Sequence, residues 1–182
     1  MTVEWLQALD FSILYWIQAH LRCPLLDRIM PMLTMLGEYG AVWILLALFL
    51  VLRQRHRRGG LTLAAGLICS LVVGNLVLKP LAARPRPCWI DPSVLLLIPV
   101  PTDFSFPSGH TLSSFIAAAI LLRYDRRFGI PALILALFIA FSRLYLFVHF
   151  PSDVGAAILL GVLIGMGVSL LMERFHRKGD WV

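Results

Sequence analysis

Two histidines, one aspartate and a handful of cations stand out in a chain that is otherwise largely apolar, and they fall into three short stretches. Lys79 and Arg86 lie among Pro80, Pro85 and Pro87; Pro107-Ser108-Gly109-His110 precedes an apolar run; Ser142-Arg143 is followed by His149 and Asp153. An ammonium and a guanidinium fork suit phosphate oxygens. Pro-Ser-Gly ahead of an apolar run reads as a helix start, whose free N–H groups and dipole form an anion site that glycine lets a phosphate approach closely. His110 at that mouth could hand a proton to a departing alkoxide. A carboxylate at Asp153 could fix the tautomer of His149 and leave its other nitrogen free to attack phosphorus.

Each stretch alone also has an ordinary explanation. A basic, proline-rich loop can anchor a membrane protein, Pro-Ser-Gly can simply begin a helix, and Asp153 can cap one beside an interfacial histidine. Arg84 could share the work of Lys79 and Arg86. What favours chemistry is convergence, because ionisable side chains at membrane depth are costly and usually mark a pathway or a site.

The elements that must position these residues are membrane helices. The chain is 59% hydrophobic and 14% charged, with a mean hydropathy of +0.84, outside the range of ordinary soluble domains. A crossing helix takes about 17 to 25 residues, so residues 1–182 are expected to form a single all-α polytopic membrane domain of about six transmembrane helices. Residues 5–21 set Trp5, Leu6, Leu9, Ile13, Trp16 and Ile17 against Gln7, Asp10, Gln18 and His20, which predicts an amphipathic, interfacial N-terminal helix. Short apolar stretches at 25–36 and 39–53 follow, then cleaner spans at 61–79, 110–122, 130–148 and 154–172. Pro80, Pro85 and Pro87 predict extended chain after the span, so that Lys79 and Arg86 need not follow helical spacing. The apolar 94–98 segment reads either as a lipid-facing lid or as a packed cap.

Charge sets the direction. The basic groups Arg53, Arg55, Arg57 and Arg58, then Arg123, Arg126 and Arg127, then Arg174, Arg177 and Lys178 should be cytoplasmic, as should both termini. The ends holding 79–107 and 143–153 then face outward. The net charge of +6 is used by this topology, and no nucleic-acid partner is expected. Cys23, Cys69 and Cys88 make neither a disulfide framework nor a zinc pattern. Glu4 and Asp10 stand where a signal peptide carries lysine or arginine, so no cleaved targeting segment is expected.

Taken together, Lys79 to Pro87 fit Lys-x6-Arg-Pro, residues 107–110 are Pro-Ser-Gly-His, and residues 142–153 fit Ser-Arg-x5-His-x3-Asp. In this order, over 79–153, the chain strongly resembles the three-part signature of the type-2 phosphatidic acid phosphatase superfamily, with no departure at the motif positions. The resemblance implies a helical membrane phosphatase in which His149 is the nucleophile that forms a phosphohistidine, Asp153 orients it and His110 is the general acid. Lys79, Arg86, Ser108, Gly109 and Arg143 then resemble the phosphate cradle, and no metal or other cofactor is implied. Phosphoryl transfer asks mainly for positioning and electrostatic stabilisation, which this set supplies. The implied substrate is a lipid phosphate or diphosphate entering from the bilayer of a bacterial plasma membrane. Similar small members act on undecaprenyl diphosphate, or on phosphatidylglycerophosphate or phosphatidate, with the first preferred here. A transporter of anionic lipids would use the cations but not the two histidines and the carboxylate, and the related vanadate haloperoxidases are soluble. Oligomeric state is not legible.

Overall fold

A computed structural model describes residues 2–178, with side chains for 4–175. The side chains of Arg177 and Lys178 in the expected basic tail lie outside the described residues, as do Met1 and 179–182 of the expected domain. The described residues are helical, with no strand. In order they form α1 (Thr2–His20), α2 (Pro24–Leu36), α3 (Ala41–Leu52), α4 (Arg57–Ser70), a π-helical continuation (Leu71–Leu78), and the short α5 (Lys79–Ala82) and α6 (Pro87–Ile90). Then come α7 (Gly109–Tyr124), α8 (Arg126–Tyr145) and α9 (Pro151–Lys178).

Three segments are long and apolar enough to cross a membrane: Gln54–Ile90, Arg126–Tyr145 and Pro151–Phe175. A fourth arises if Pro24–Leu36 and Glu38–Leu52, bent by 45° at their junction, count as one broken span. The bend falls at Gly37 to Gly40, where Tyr39 (φ 49°) and Gly40 (φ 70°) adopt left-handed backbone. Among the described residues, then, three or four segments pass by length and composition alone, which does not confirm the expected count of about six. The 25–36 and 39–53 stretches count together as one bent pair, and α7, with 16 residues, is short for a crossing by itself and is enclosed by other helices, so much of its apolar character serves the core.

That enclosure is the organising feature of the bundle. From Thr111 to Ala118 every α7 side chain is buried, as are Ile120 and Leu121, against α4, α8 and α9. Lipid tails offer no hydrophobic drive between helices, so close backbone approach has to supply the packing. Gly161 and Gly165 on α9 provide it: a Cβ at Gly161 would lie 2.8 Å from Phe115 Cβ and 3.0 Å from the Leu112 carbonyl, and one at Gly165 would lie 2.9 Å from both Ala119 Cβ and the Ile116 carbonyl. A polar tie joins α3 to the same helix, with Trp43 Nε1 donating to Ser114 Oγ at 2.9 Å.

The bundle has two chemically distinct ends. At one, Tyr124 Oη donates to the Arg55 carbonyl at 3.2 Å and Arg123 forms a two-bond fork with Glu173, both at 2.8 Å. At the other, the α8–α9 connection carries Phe147, Val148 and Phe150 into a second apolar cluster with Leu14 and Ile17 of α1. Val94 and Leu96 to Ile98 pack on this cluster, so the loop forms a packed cap with Leu95 left exposed.

Gly161→Val and Gly165→Val should each lower the thermal unfolding midpoint of the detergent-solubilised protein, by the equivalent of about 1–3 kcal/mol for overpacking. Gly167→Val, where no atom lies within 4 Å of the added Cβ, should leave it unchanged. Equal midpoints for all three would contradict the close α7–α9 seam.

Candidate active site

All three motifs end at the cap end of the bundle, and each reaches it by a different local device. The helical path from α4 runs on through Lys79 to Ala82, where extended chain was expected from Pro80 onward, because Pro80 takes the first turn of α5, where no N–H is needed. The chain then breaks at Ala83 (φ 43°) and runs on through Arg86, which is extended (φ −80°, ψ 154°) and precedes α6. Ser108 (φ −66°, ψ 108°) is the residue before α7; its hydroxyl lies 2.9 Å from Thr111 Oγ1 and makes no capping bond, which leaves first-turn N–H groups of α7 outside the helical ladder. Gly109 has no Cβ where one would stand 3.2 Å from Asn75 Oδ1 and 3.7 Å from Lys79 Nζ. Arg143 ends α8, His149 lies in the connection, and Asp153 is in the first turn of α9.

The charged members are almost wholly out of solvent: Arg86 is 2% exposed, Arg143 3%, His149 1% and Asp153 0%. Arg86 Nη1 donates to His149 Nε2 at 3.0 Å and to the Val148 carbonyl at 2.7 Å. A guanidinium has no acceptor, so Nε2 is the unprotonated nitrogen and Nδ1 carries the proton. Burial first, then the nearby charges of Arg86, Arg143, Lys79 and His110, holds the His149 pKa well below the usual histidine range. The imidazole is therefore neutral, with its free lone pair facing the cations.

Asp153 does not bond directly to His149. Its Oδ2 lies 3.8 Å from Nδ1, and Ser105 Oγ stands between them, donating to Oδ2 at 2.5 Å and lying 3.4 Å from Nδ1. The backbone N–H of Phe150 donates to the same oxygen at 3.0 Å. Asp153 also accepts from Arg84 Nη1 at 2.5 Å, so Arg84 faces the carboxylate and not the cradle.

Lys79 and Arg86 converge on one carboxylate, Asp103 of the loop before α7. Lys79 Nζ pairs with its Oδ2, and Arg86 Nη2 donates to Oδ1 at 2.6 Å while Nε reaches the Asp103 carbonyl at 2.7 Å. Burial by itself would raise the Asp103 pKa, but the two cations outweigh it and hold the carboxyl well below the usual range. Arg143 donates to Thr34 Oγ1 of α2, and its Nε is left unpartnered, as is Nε2 of the largely buried His110. Glu38 Oε2 lies 3.4 Å from His110 Nε2, and the ring packs over Gly37, where a Cβ would sit 2.8 Å from His110 Cδ2.

The residues singled out from the sequence thus gather at one place: Lys79, Arg86, Gly109, His110, Arg143, His149 and Asp153, with Ser108 buried beneath them. Sequence reasoning missed Asp103, Ser105, Thr34 and Glu38. Asp103 and Ser105 flank the second motif closely enough to have been weighed, whereas Thr34 and Glu38 carried no distinguishing pattern.

Known proteins resemble the chain over most of its length. Residues 59–177 match the PAP2 superfamily. An undecaprenyl-diphosphatase from Sulfolobus acidocaldarius is 38% identical over 151 residues, 81% of this chain and 71% of that protein. Undecaprenyl-diphosphatase BcrC of Bacillus subtilis is 32% identical over 144 residues, 77% of this chain and 72% of that protein. The fold is shared with the crystal structure of a transmembrane PAP2 type phosphatidylglycerolphosphate phosphatase from Bacillus subtilis, at a TM-score of 0.72 and 24% identity, covering 97% of this chain and 89% of the other. A match that runs from the foot of α4 to the far turn of α9, carried on helices suited to a bilayer, settles the lineage: this protein is an integral membrane member of the PAP2 superfamily.

Proposed function

We propose that this chain hydrolyses a polyprenyl diphosphate to the monophosphate and inorganic phosphate, through a phosphohistidine on His149. The coarse activity is that of the family: a membrane phosphatase acting on a lipid phosphate. The finer reading rests on one observation above all, the neutral His149 whose acceptor nitrogen lies 3.0 Å from Arg86 in a ring of buried cations. Relatives named undecaprenyl-diphosphatase support the choice of substrate.

The chemistry then runs in two displacements. His149 Nε2 attacks the terminal phosphorus, the bond to the bridging oxygen breaks, and protonated His110 passes its proton to that departing oxygen, leaving a neutral imidazole for the second step. Water then attacks the phosphohistidine, His110 takes its proton, and phosphate leaves. Lys79, Arg86 and Arg143, with the N-terminus of α7, stabilise charge on the equatorial oxygens. For this the substrate phosphate takes the place Asp103 holds between Lys79 and Arg86. No step is assigned to a metal or other cofactor.

The tail has its own route. A cleft of about 560 Å³ opens between α3 and the α4 path, lined by Tyr39, Ile44, Leu48, Leu67 and Asn75 among others. Its Asn75 adjoins Gly109, so a lipid lying in the cleft from the bilayer presents its phosphate to the cradle. The site end faces outward, with the basic loops and the end of α9 cytoplasmic; α1 instead lies along the site face, where its Gln18 and Asp10 contact Tyr145 and Ser152. The plasma membrane is the proposed location, and residues 1–182 are proposed to act as one domain.

At equal surface fraction in mixed micelles, phosphate release should be fastest from polyprenyl diphosphate and slower from phosphatidylglycerophosphate and phosphatidate. No release from any of them by folded protein would favour transport of the lipid instead.

His149→Ala should abolish turnover, assayed with a chelator present, while lipid binding survives; Arg143→Ala should weaken both, since it holds the ground state as well. Equal binding loss in the two variants would overturn these roles.

An alkoxide leaves poorly unless protonated, whereas a lipid monophosphate departs as a stable anion. His110→Asn should therefore cost on the order of 100-fold with phosphatidate and markedly less with the diphosphate. An equal loss on both substrates would remove His110 as the acid.

A further inference from the structure

The motifs leave one buried ionic cluster without a role, and it lies directly behind the nucleophile. Asp10 of α1 is 2% exposed. Its Oδ1 accepts the Ser152 backbone N–H at 2.9 Å, and its Oδ2 accepts Ser152 Oγ at 2.5 Å and Arg84 Nη2 at 2.7 Å. Arg84 turns its other nitrogen, Nη1, to Asp153 at 2.5 Å and Ser152 Oγ at 2.7 Å, while its Cζ rests 4.1 Å above the Phe150 ring. One guanidinium therefore spans two buried carboxylates, one on α1 and one beside the nucleophilic histidine.

We infer that Asp10 and Arg84 are positioning residues for catalysis, acting through Asp153 on His149. The inference rests on the reading of His149 as nucleophile. A carboxylate as buried as Asp153 is costly without a cation beside it, and Arg84 supplies that cation, so that Asp153 can stabilise a proton on His149 Nδ1 as the phosphohistidine forms. An Arg84 free to turn both nitrogens onto Asp153 would instead draw that carboxylate away from the ring, already 3.8 Å distant. Asp10 divides the guanidinium, so that Asp153 keeps one strong bond on Oδ1 and leaves Oδ2 to Ser105, Phe150 and the imidazole face. The same carboxylate also fixes the backbone of Ser152, in the first turn of α9 and next to Asp153. Asp10 lies outside residues 59–177, so α1 contributes to the reaction geometry from beyond the matched region, and neither residue touches the phosphate.

The test compares purified wild type with Asp10→Asn, Arg84→Lys and, as a control on the nucleophile, His149→Ala, using polyprenyl diphosphate in mixed micelles. Asp10→Asn should lower kcat by about 10- to 100-fold with KM unchanged, and Asp10→Glu should restore part of the loss. Arg84→Lys keeps the charge but cannot bridge two carboxylates, and it should show the same split. Wild-type kcat in either variant, or a raised KM at unchanged kcat, overturns the positioning role. If Asp10→Asn does not fold, Arg84→Lys decides by the same criterion. An active His149→Ala would instead sink the nucleophile reading, whereas an inactive His149→Ala beside a fully active Asp10→Asn would sink only this inference.

Discussion

Three cations held together out of water are the constraint from which the rest of the site follows. Lys79, Arg86 and Arg143 repel one another, and burial strips the hydration that would soften that repulsion. In this structure Asp103 is the carboxylate that Lys79 and Arg86 both grip, while Arg143 has only the Thr34 hydroxyl and an unpartnered Nε. Such an arrangement is costly for a resting protein and well suited to a multiply charged oxyanion. Arg84 stands outside this surplus because its charge is shared between Asp10 and Asp153. Lys79, Arg84 and Arg86 from one stretch of chain and Arg143 from α8 thus divide into three that converge and one, Arg84, held between two carboxylates.

The same division explains what could be read from the residues alone. The three motifs were legible because each places chemically distinctive groups at fixed spacing, and their order along the chain made the combination specific. Asp103 and Ser105 were not, since the loop that carries them follows no period and its turns depend on packing against the α8–α9 connection. Asp10 looked like one polar interruption in an amphipathic helix; only the fold turns it inward to meet Ser152. The chain after Lys79 was expected to be extended on account of its prolines, yet a proline at the start of a helical turn continues the path from α4 as far as Ala82. That the apolar run at 110–122 is enclosed by other helices was not legible, because periodicity cannot tell lipid-facing from helix-facing apolar residues.

Helix α7 is thus both the scaffold and part of the site. Its N-terminus lies among the cations, its flank holds the glycine seam with α9, and Ser114 receives the bond from Trp43. Polar side chains such as Thr111, Ser113 and Ser114 are tolerable on so apolar an element because neighbouring helices, and not acyl chains, surround them.

The shortness of that central helix bears on where the reaction happens. Sixteen residues rise about 24 Å, less than the roughly 30 Å of hydrocarbon in a typical bilayer. Under the proposed function, a helix of that length whose far end lies level with the opposite interface would hold the reacting phosphorus below the plane in which lipid headgroups normally float. On that reading a long-chain lipid would not have to be lifted toward water to be cleaved; its headgroup would sink instead, shedding solvent as it descends, and the fixed positive charges at the bottom would favour that descent.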